Sequence, residues 1–168
     1  MGAERQLDPE ELGDHIDRLY RAARSLTGSR EEAEDLVQET FLRVLQKPRL
    51  LRSDDDLGYL LRVLRNTFIS TRRTAARRPQ TSATPEVLEF VEDRAAAQPQ
   101  TRVEMSEVYA AISELPPDFR DAVIAIDVVG LSYREASRLL RVREATITTR
   151  LHRGRQRIAR RMAGEAAD

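Results

Sequence analysis

Arginine, the side chain best suited to fork onto phosphate groups and guanine edges, is concentrated in two segments of the chain. Residues 62–78 carry six arginines and no acid, and residues 131–163 carry ten arginines against two glutamates. Residues 4–39 instead carry eleven acids and five arginines. The formal net charge of zero therefore conceals two basic segments and one acidic segment. Such segregation indicates separate surfaces for an anionic partner, such as a nucleic acid, and for a cationic partner.

The preference for arginine has a second explanation. Lys47 is the one lysine among the 28 basic residues, and a GC-rich genome produces the same bias. Composition alone therefore does not establish nucleic-acid binding, and the placement of the arginines on predicted helices has to decide.

The second basic segment has the layout of a helix-turn-helix. A capping box formed by Ser132 and Glu135 opens a short predicted helix. A tight turn at about residues 141–143 then leads into a long helix from Glu144 to about Met162. In this motif the second helix enters the major groove of DNA. The sequence therefore predicts DNA binding here, and the alternative is an amphipathic surface helix with a solvated basic face.

Side chains near the start of the long helix are expected to meet base edges, whereas those further along suit phosphate contacts. The outward-facing candidates for the first role are Arg143, Glu144, Thr146, Thr148, Thr149 and Arg150. The candidates for the second role are Arg153, Arg155 and Arg157.

Helical spacing of apolar residues predicts the elements that position these side chains, and no stretch shows sustained strand alternation. Helices are predicted at about residues 9–26, 30–45, 54–78, 101–114, 118–129, 132–140 and 144–162. Residues 79–100 hold three prolines and several small polar residues, a composition typical of a flexible linker. The predicted fold is all-α, with two small helical domains at residues 8–78 and 101–163 joined by this linker.

The C-terminal half resembles the promoter-reading fourth domain of sigma factors, the subunits that direct bacterial RNA polymerase to promoters. The resemblance implies that this domain binds the −35 promoter element and the flap of core polymerase. Two positions depart from the family pattern, with Arg141 in place of the usual turn glycine and Ser137 in place of the usual alanine. A left-handed backbone at Arg141 would cost on the order of 1 kcal/mol. The matching residues are Glu114-Leu115-Pro116, Phe119-Arg120, Gly130-Leu131-Ser132-Tyr133, Ala145-Thr146-Ile147 and Arg150-Leu151-His152-Arg153.

The second predicted helix carries the most diagnostic run of the chain. Residues 33–44 read AEDLVQETFLRV, which is similar to the corresponding run of extracytoplasmic-function sigma factors in the sigma-70 family. The resemblance implies docking on the clamp helices of the largest polymerase subunit. An acidic stripe with one exposed leucine suits a basic helical partner, and a solvated helix face is the alternative. The outward stripe consists of Asp35, Gln38, Glu39 and Leu42.

The third predicted helix continues with LRNTFISTRR at residues 64–73, similar to LRNTFID..RR of the family. The resemblance implies capture of the melted −10 element, with one base extruded from the strand at a cost of a few kcal/mol. Residues 48–56 would form the wall of the base pocket. Asn66 is the candidate for a base contact. The candidates for phosphate contacts are Arg62, Arg65, Arg72 and Arg73.

An enzyme is the weaker hypothesis. The two histidines, His15 and His152, belong to different predicted domains, and the chain has no cysteine. Nucleophile–base groupings, metal-ligand spacings and glycine-rich phosphate loops are all missing from the sequence. We therefore expect no catalytic residue, cofactor, metal site or small-molecule substrate.

The main alternative is a free-standing helix-turn-helix regulator whose N-terminal helices dimerise or sense a signal. The run at residues 33–44 and the pair Arg65-Asn66 favour the sigma factor, because such a regulator has no use for them. The resemblance also implies an anti-sigma factor, the usual inhibitor in this family.

The location predicted from the sequence is the cytoplasm. The N-terminal run MGAERQLDPEEL is acidic and polar, unlike a secretory signal. The longest apolar stretch, residues 122–131, is interrupted by Asp127 and is far too short to span a bilayer. We expect no insertion into a membrane.

Overall fold

A computed structural model describes residues 5–47, 50–51, 55–77 and 99–164, and these are mostly helical. The all-α fold class is confirmed. The predicted linker falls outside the described residues except for its last two positions, which belong to a helix. In chain order the elements are β1 (Arg5–Gln6), a 3-10 helix (Pro9–His15), α1 (Ile16–Thr27), α2 (Arg30–Gln46), β2 (Leu50–Leu51), α3 (Asp56–Ala75), α4 (Pro99–Ser113), α5 (Pro117–Val123), a π-helical turn (Ile124–Val128), α6 (Tyr133–Leu140) and α7 (Glu144–Met162).

Local signals at the helix ends account for the N-terminal half. Gly28 ends α1 in the left-handed conformation, with φ of 70°. The Ser29 hydroxyl then accepts a hydrogen bond from the Glu32 backbone N–H at 3.4 Å, which opens α2. The Asp55 carboxylate does the same for α3 by accepting from the Gly58 N–H at 2.9 Å. Helices α2 and α3 contact each other, and both pack on α1.

The N-terminal half differs from expectation at two points. The first predicted helix begins as a 3-10 helix at Pro9–His15 and becomes α-helical only at Ile16, consistent with the low α-helix propensity of Gly13. A short strand pair was also missed, because two residues are too few to show an alternating pattern. In it Arg5 lies opposite Leu51.

The C-terminal half differs from expectation at two points. Helix α4 begins at Pro99 rather than at residue 101, in keeping with the preference of proline for the first helical turn. The helix predicted for residues 118–129 is α-helical only to Val123 and continues as a π-helical turn, in which the Val129 N–H donates to the Ile124 carbonyl at 2.9 Å. The two helices of the predicted helix-turn-helix, α6 and α7, are present.

The two halves pack against each other. Leu19 and Leu64 of the N-terminal half and Ile112 and Leu151 of the C-terminal half belong to one buried cluster. Helix α1 lies against α4 and the π-helical turn, and α3 contacts α6. At Gly28 a Cβ atom would stand 2.5 Å from the Ser113 hydroxyl, so only glycine allows this approach. The chain therefore adopts a closed arrangement.

Candidate partner-binding surfaces

The predicted stripe on α2 faces solvent. Asp35, Glu39 and Leu42 are exposed and Gln38 is half-buried. These positions recur every three to four residues and therefore share one face of the helix. Leu42 is 52% exposed, and Leu45, three residues on, is 49% exposed. Sequence inspection missed Leu45, although its spacing from Leu42 extends the same face. We call Asp35, Gln38, Glu39, Leu42 and Leu45 the α2 stripe.

A groove of about 500 Å³ runs between the α2 stripe and α3. Thr71 and Arg72 of α3 line it together with Asp35, Glu39 and Leu42. The groove joins the surface predicted to meet the polymerase to a helix predicted to meet DNA, which two separate sequence motifs did not reveal. Its lining combines apolar side chains such as Leu36 and Phe68 with charged ones.

The acids of α2 crowd one another. The pKa of Asp35 is raised above its usual value, first by partial burial and then by repulsion from Glu31, Glu34 and Glu32. Glu39 is partly neutralised by Arg43 at 3.0 Å. A cationic partner would relieve the repulsion around Asp35, so the electrostatics of this face favour a basic ligand.

The predicted DNA-binding residues of α3 fall into two groups. Arg62, Asn66 and Arg73 are exposed, and neither arginine forms an ion pair within the described part of the chain. Arg65 and Arg72 are instead engaged. The Arg65 Nε donates to the Asp121 carboxylate at 2.8 Å, and the Arg72 guanidinium lies 5.1 Å from the centre of the Phe68 ring.

These contacts belong to a cluster between the two halves, the interdomain cluster, which consists of Arg65, Phe68, Arg72, Arg120 and Asp121. Arg120 of α5 stacks on Phe68 at 5.1 Å and donates to Asp121 at 3.1 Å. Phe68 is buried. No local sequence pattern indicated that Arg120 of α5 packs on Phe68, because the two residues lie more than fifty positions apart in the chain.

The turn of the helix-turn-helix accommodates both departures from the family pattern. Arg141 is left-handed, with φ of 56°, and it is the one non-glycine residue with positive φ in the described ranges. The Ser137 hydroxyl donates across the turn to the Val142 carbonyl at 2.5 Å. The capping box before it is reciprocal, and its hydrogen bonds lower the pKa of Glu135. The turn therefore forms with Arg141 in the left-handed conformation, the backbone conformation for which the sequence analysis predicted an energetic cost.

Four of the predicted DNA-reading residues lie together on α7. Thr146, Thr149, Arg150 and Arg153 line one groove of about 410 Å³ with Phe119 of α5. Arg150 is half-buried and lies 3.4 Å from the Asp118 carboxylate. The position of Phe119 in this groove was not predicted, because the sequence analysis matched Phe119 to the family pattern without assigning it a role.

The other candidates of α7 surround this groove. Arg143, at the N-cap, makes no side-chain capping hydrogen bond and is exposed, as are Glu144 and Thr148. Arg155 forms a bidentate pair with Asp127 at 2.9 and 2.6 Å, which raises its pKa. Arg155 is thus held by the π-helical turn, whereas Arg153 is exposed and has no ion pair within the described ranges.

Within the described residues, the cluster of His, Asp and Glu side chains needed to hold a metal ion does not occur. The described helices also include none with the length and apolar character required to cross a membrane.

Comparison with known proteins connects these surfaces to one family. The protein-family model for sigma-70 region 2 matches residues 12–78, and the family model for sigma-70 region 4 matches residues 105–158. SigM of Bacillus subtilis, an extracytoplasmic-function (ECF) RNA polymerase sigma factor, is 30% identical over 86% of this chain and 88% of its own length. The chain belongs to the ECF sigma factors. SigE of Mycolicibacterium smegmatis, also an ECF RNA polymerase sigma factor, is 36% identical over 92% of this chain.

This ECF chain spans 61% of the length of the M. smegmatis relative. Its fold is similar to that of the sigma factor RpoE from Bartonella quintana in complex with the anti-sigma factor NepR. The TM-score is 0.65 at 26% identity, over 89% of this chain and 92% of the other. CnrH, solved with the cytosolic domain of CnrY, shares the fold with a TM-score of 0.62 at 20% identity, over 94% and 88% of the two chains. The family favours a sigma factor over a free-standing regulator.

Proposed function

We propose that this protein binds core RNA polymerase and directs it to specific promoters, under the control of an anti-sigma factor. The observation that carries the proposal is the shared groove, in which the α2 stripe and α3 meet. A polymerase docked on α2 is thereby placed beside the helix that would hold the melted promoter strand. A free-standing regulator needs no such continuity.

Residues 8–78 are the proposed docking and −10 domain. The acidic, partly apolar α2 stripe fits the clamp helices of the largest polymerase subunit, because repulsion around Asp35 favours a cationic partner. On α3, the proposed base contact is Asn66 and the proposed phosphate contacts are Arg62 and Arg73, a role that the exposure of all three supports. The segment assigned to the base pocket, residues 48–56, lies largely outside the described residues.

Residues 101–163 are the proposed −35 domain. Its groove on α7 presents hydroxyl and guanidinium groups, the donors that read base edges and clamp phosphates. The flap of core polymerase is the proposed second partner of this domain. Each promoter contact alone is expected to be weak, and a polymerase that fixes the spacing of both raises their effective concentration.

The anti-sigma factor is proposed from the family and from the B. quintana neighbour, which was solved with NepR. We propose no catalysis by this chain itself, since it would act through the polymerase. The proposed location is the cytoplasm, where polymerase and promoter DNA reside.

Charge reversal on the α2 stripe tests the docking step. The double variant Asp35→Arg plus Glu39→Arg should abolish co-purification with core polymerase, because it places cations against the basic partner. The control is Glu10→Arg plus Asp14→Arg, which makes the same charge change on the exposed 3-10 helix. Circular dichroism should show that both variants keep the helical fold. Normal co-purification of the stripe variant would remove the docking assignment.

A further inference from the structure

The side chain of Phe119 comes from α5 but lines the groove on α7 that is proposed to read the −35 element. We propose that this groove binds a thymine, with the Phe119 ring packed against the 5-methyl group of the base. The inference rests on the proposed −35 function, and it adds the identity of a base and a reading residue from outside α7. The groove of about 410 Å³, called the α7 groove, is lined by Phe119, Ala145, Thr146, Thr149, Arg150 and Arg153.

The lining of the α7 groove places apolar groups beside charged ones. Ala145 contributes a methyl group and Phe119 an aromatic ring. The Thr149 hydroxyl donates its hydrogen to the Ala145 carbonyl at 3.2 Å, so Thr149 has no hydrogen left to donate to a base. Alanine, the threonine methyl group and phenylalanine are the side-chain groups that pack on the methyl group of thymine in the major groove.

Thymine also presents a polar group that the α7 groove can satisfy. Its major-groove edge carries the O4 acceptor next to the 5-methyl group. Arg153 lines the groove, is exposed and forms no ion pair within the described ranges, so it is free to donate to O4. Cytosine carries an amino donor in place of O4, and the purines have no methyl group on this edge. The groove therefore matches thymine better than the other three bases.

Three contacts fix Phe119 against α7. Gly154 permits the close approach of α5, because a Cβ atom there would lie 3.2 Å from the Phe119 carbonyl oxygen and 3.5 Å from its Cβ. The Arg157 guanidinium stacks on the ring, 5.4 Å from its centre. Asp118, the residue before Phe119, lies 3.4 Å from the Arg150 guanidinium. The ring is therefore a preorganised wall of the groove, and little conformational freedom is lost when a base packs against it.

Phe119 also lines a second, adjacent groove of about 330 Å³. The other side chains of this second groove include His152, Gln156 and Arg157, which are polar or charged. Such side chains suit phosphate oxygens, whereas the apolar groups are concentrated in the α7 groove. The thymine is therefore assigned to the α7 groove and the phosphate backbone to the second groove.

Duplex selection with the full-length protein identifies the thymine. A library of DNA duplexes with a randomised centre is bound, recovered and sequenced over several rounds. The selected duplex is then prepared with deoxyuridine in place of each thymidine in turn, which removes only the 5-methyl group. At the thymine held in the α7 groove, the change should weaken binding about fourfold, the factor expected for one buried methyl group. Fluorescence anisotropy measures this uracil penalty.

Substitution of Phe119 tests whether its ring holds the methyl group. Removal of the methyl group also changes the shape and flexibility of the duplex, so the penalty is compared between protein variants in a cycle. Phe119→Ala should abolish the penalty, whereas Phe119→Leu keeps an apolar wall and should retain most of it. Circular dichroism should show that both variants keep the helical fold. A fourfold penalty that persists in Phe119→Ala would overturn the proposal.

Two neighbouring threonines supply a matched control that leaves Phe119 intact. Thr148 and Thr149 each donate a hydroxyl hydrogen to the carbonyl four residues earlier at 3.2 Å, and of the two it is Thr149 that lines the α7 groove. Replacement by serine removes one methyl group and keeps the hydroxyl. Thr149→Ser should lower the uracil penalty to about twofold, because part of the apolar wall is lost. Thr148→Ser should leave the penalty unchanged, and equal penalties in the two variants would overturn the assignment to this groove.

The selection also separates this proposal from the −35 function on which it rests. A selected duplex that binds equally well with uracil at every thymine of either strand would overturn the thymine contact while the −35 function stands. Selection of a sequence without thymine would have the same meaning. If no sequence is enriched over random duplex, the proposed −35 function itself fails.

Discussion

Helices α3 and α7 both present arginines to solvent, but the acids that pair with those arginines come from different parts of the molecule. On α7, Arg150 and Arg155 pair with Asp118 and Asp127 of the same domain. On α3, Arg72 lies 3.8 Å from Glu32 of its own domain, but the partner of Arg65 is Asp121 of the other domain. An ion pair within one domain does not depend on how the two domains are arranged. The Arg65–Asp121 pair instead requires that the two domains pack against each other.

The two surfaces therefore differ in how much of each is accessible. The groove proposed to read the −35 element is open to solvent on α7. Of the α3 residues proposed to contact the −10 strand, Arg62, Asn66 and Arg73 are exposed, whereas Arg65 is paired with Asp121.

Reversing charges in the α7 groove is expected to have the largest effect. Arg150→Glu plus Arg153→Glu should weaken binding to −35 duplex DNA by about 100-fold or more, because each lost arginine contact is worth on the order of 1–3 kcal/mol. Filter binding or fluorescence anisotropy measures this. Arg160→Glu plus Arg161→Glu makes the same charge change at the exposed end of α7 and should cost much less. Equal losses in both variants would point to a diffuse basic surface without a specific groove.

Removing the exposed arginines of α3 should have the next largest effect. Arg62→Ala plus Arg73→Ala should weaken binding to single-stranded DNA about tenfold, because both residues are free to meet phosphates. Arg65→Ala should weaken it only about twofold, because Asp121 already pairs with the Arg65 guanidinium. A loss at Arg65 as large as that of the double variant would show that Asp121 does not restrain Arg65.

Two neighbouring arginines of α7 offer a finer test. Arg153→Ala should weaken binding to −35 DNA about fivefold, and Arg155→Ala about twofold, because the bidentate pair with Asp127 already uses the guanidinium of Arg155. Asp127→Asn should release Arg155 and tighten binding slightly. Identical losses for the two alanine variants would show that Asp127 does not restrain Arg155.

The smallest expected effect lies in the turn. Arg141→Gly should raise the free energy of unfolding by about 1 kcal/mol, because glycine adopts the left-handed backbone without a Cβ clash. Arg141→Ala removes the charge but keeps the Cβ, and should give no such gain. Urea unfolding measures both variants. A gain in the alanine variant alone would trace the cost of Arg141 to its charge.

The sequence predicted those structural features that depend on residues close together in the chain. Gly28 ends α1, and Ser132 with Glu135 opens α6, because caps act within one turn of a helix. The outward orientation of Asp35 and Leu42 likewise follows from helical periodicity. Assignments of these side chains to particular partners came from family resemblance and remain proposals.

The features that sequence reasoning missed depend on distant parts of the chain. The pairing of Arg5 with Leu51 involves two residues on each side, too few for a periodic signal. Arg65 meets Asp121 only because α1 packs on α4 and α3 on α6. Periodicity shows which face of a helix is apolar, but it does not show which other helix covers that face.

Run-off transcription tests the central claim most directly. Core polymerase is incubated with a library of promoter fragments, with and without this protein, and gel shifts with the protein alone run in parallel. Promoter-specific transcripts should appear only when polymerase and protein are both present, and Asp35→Arg plus Glu39→Arg should abolish them. Tight, specific DNA binding by the protein alone, with no change in initiation, would contradict the account and favour a free-standing regulator.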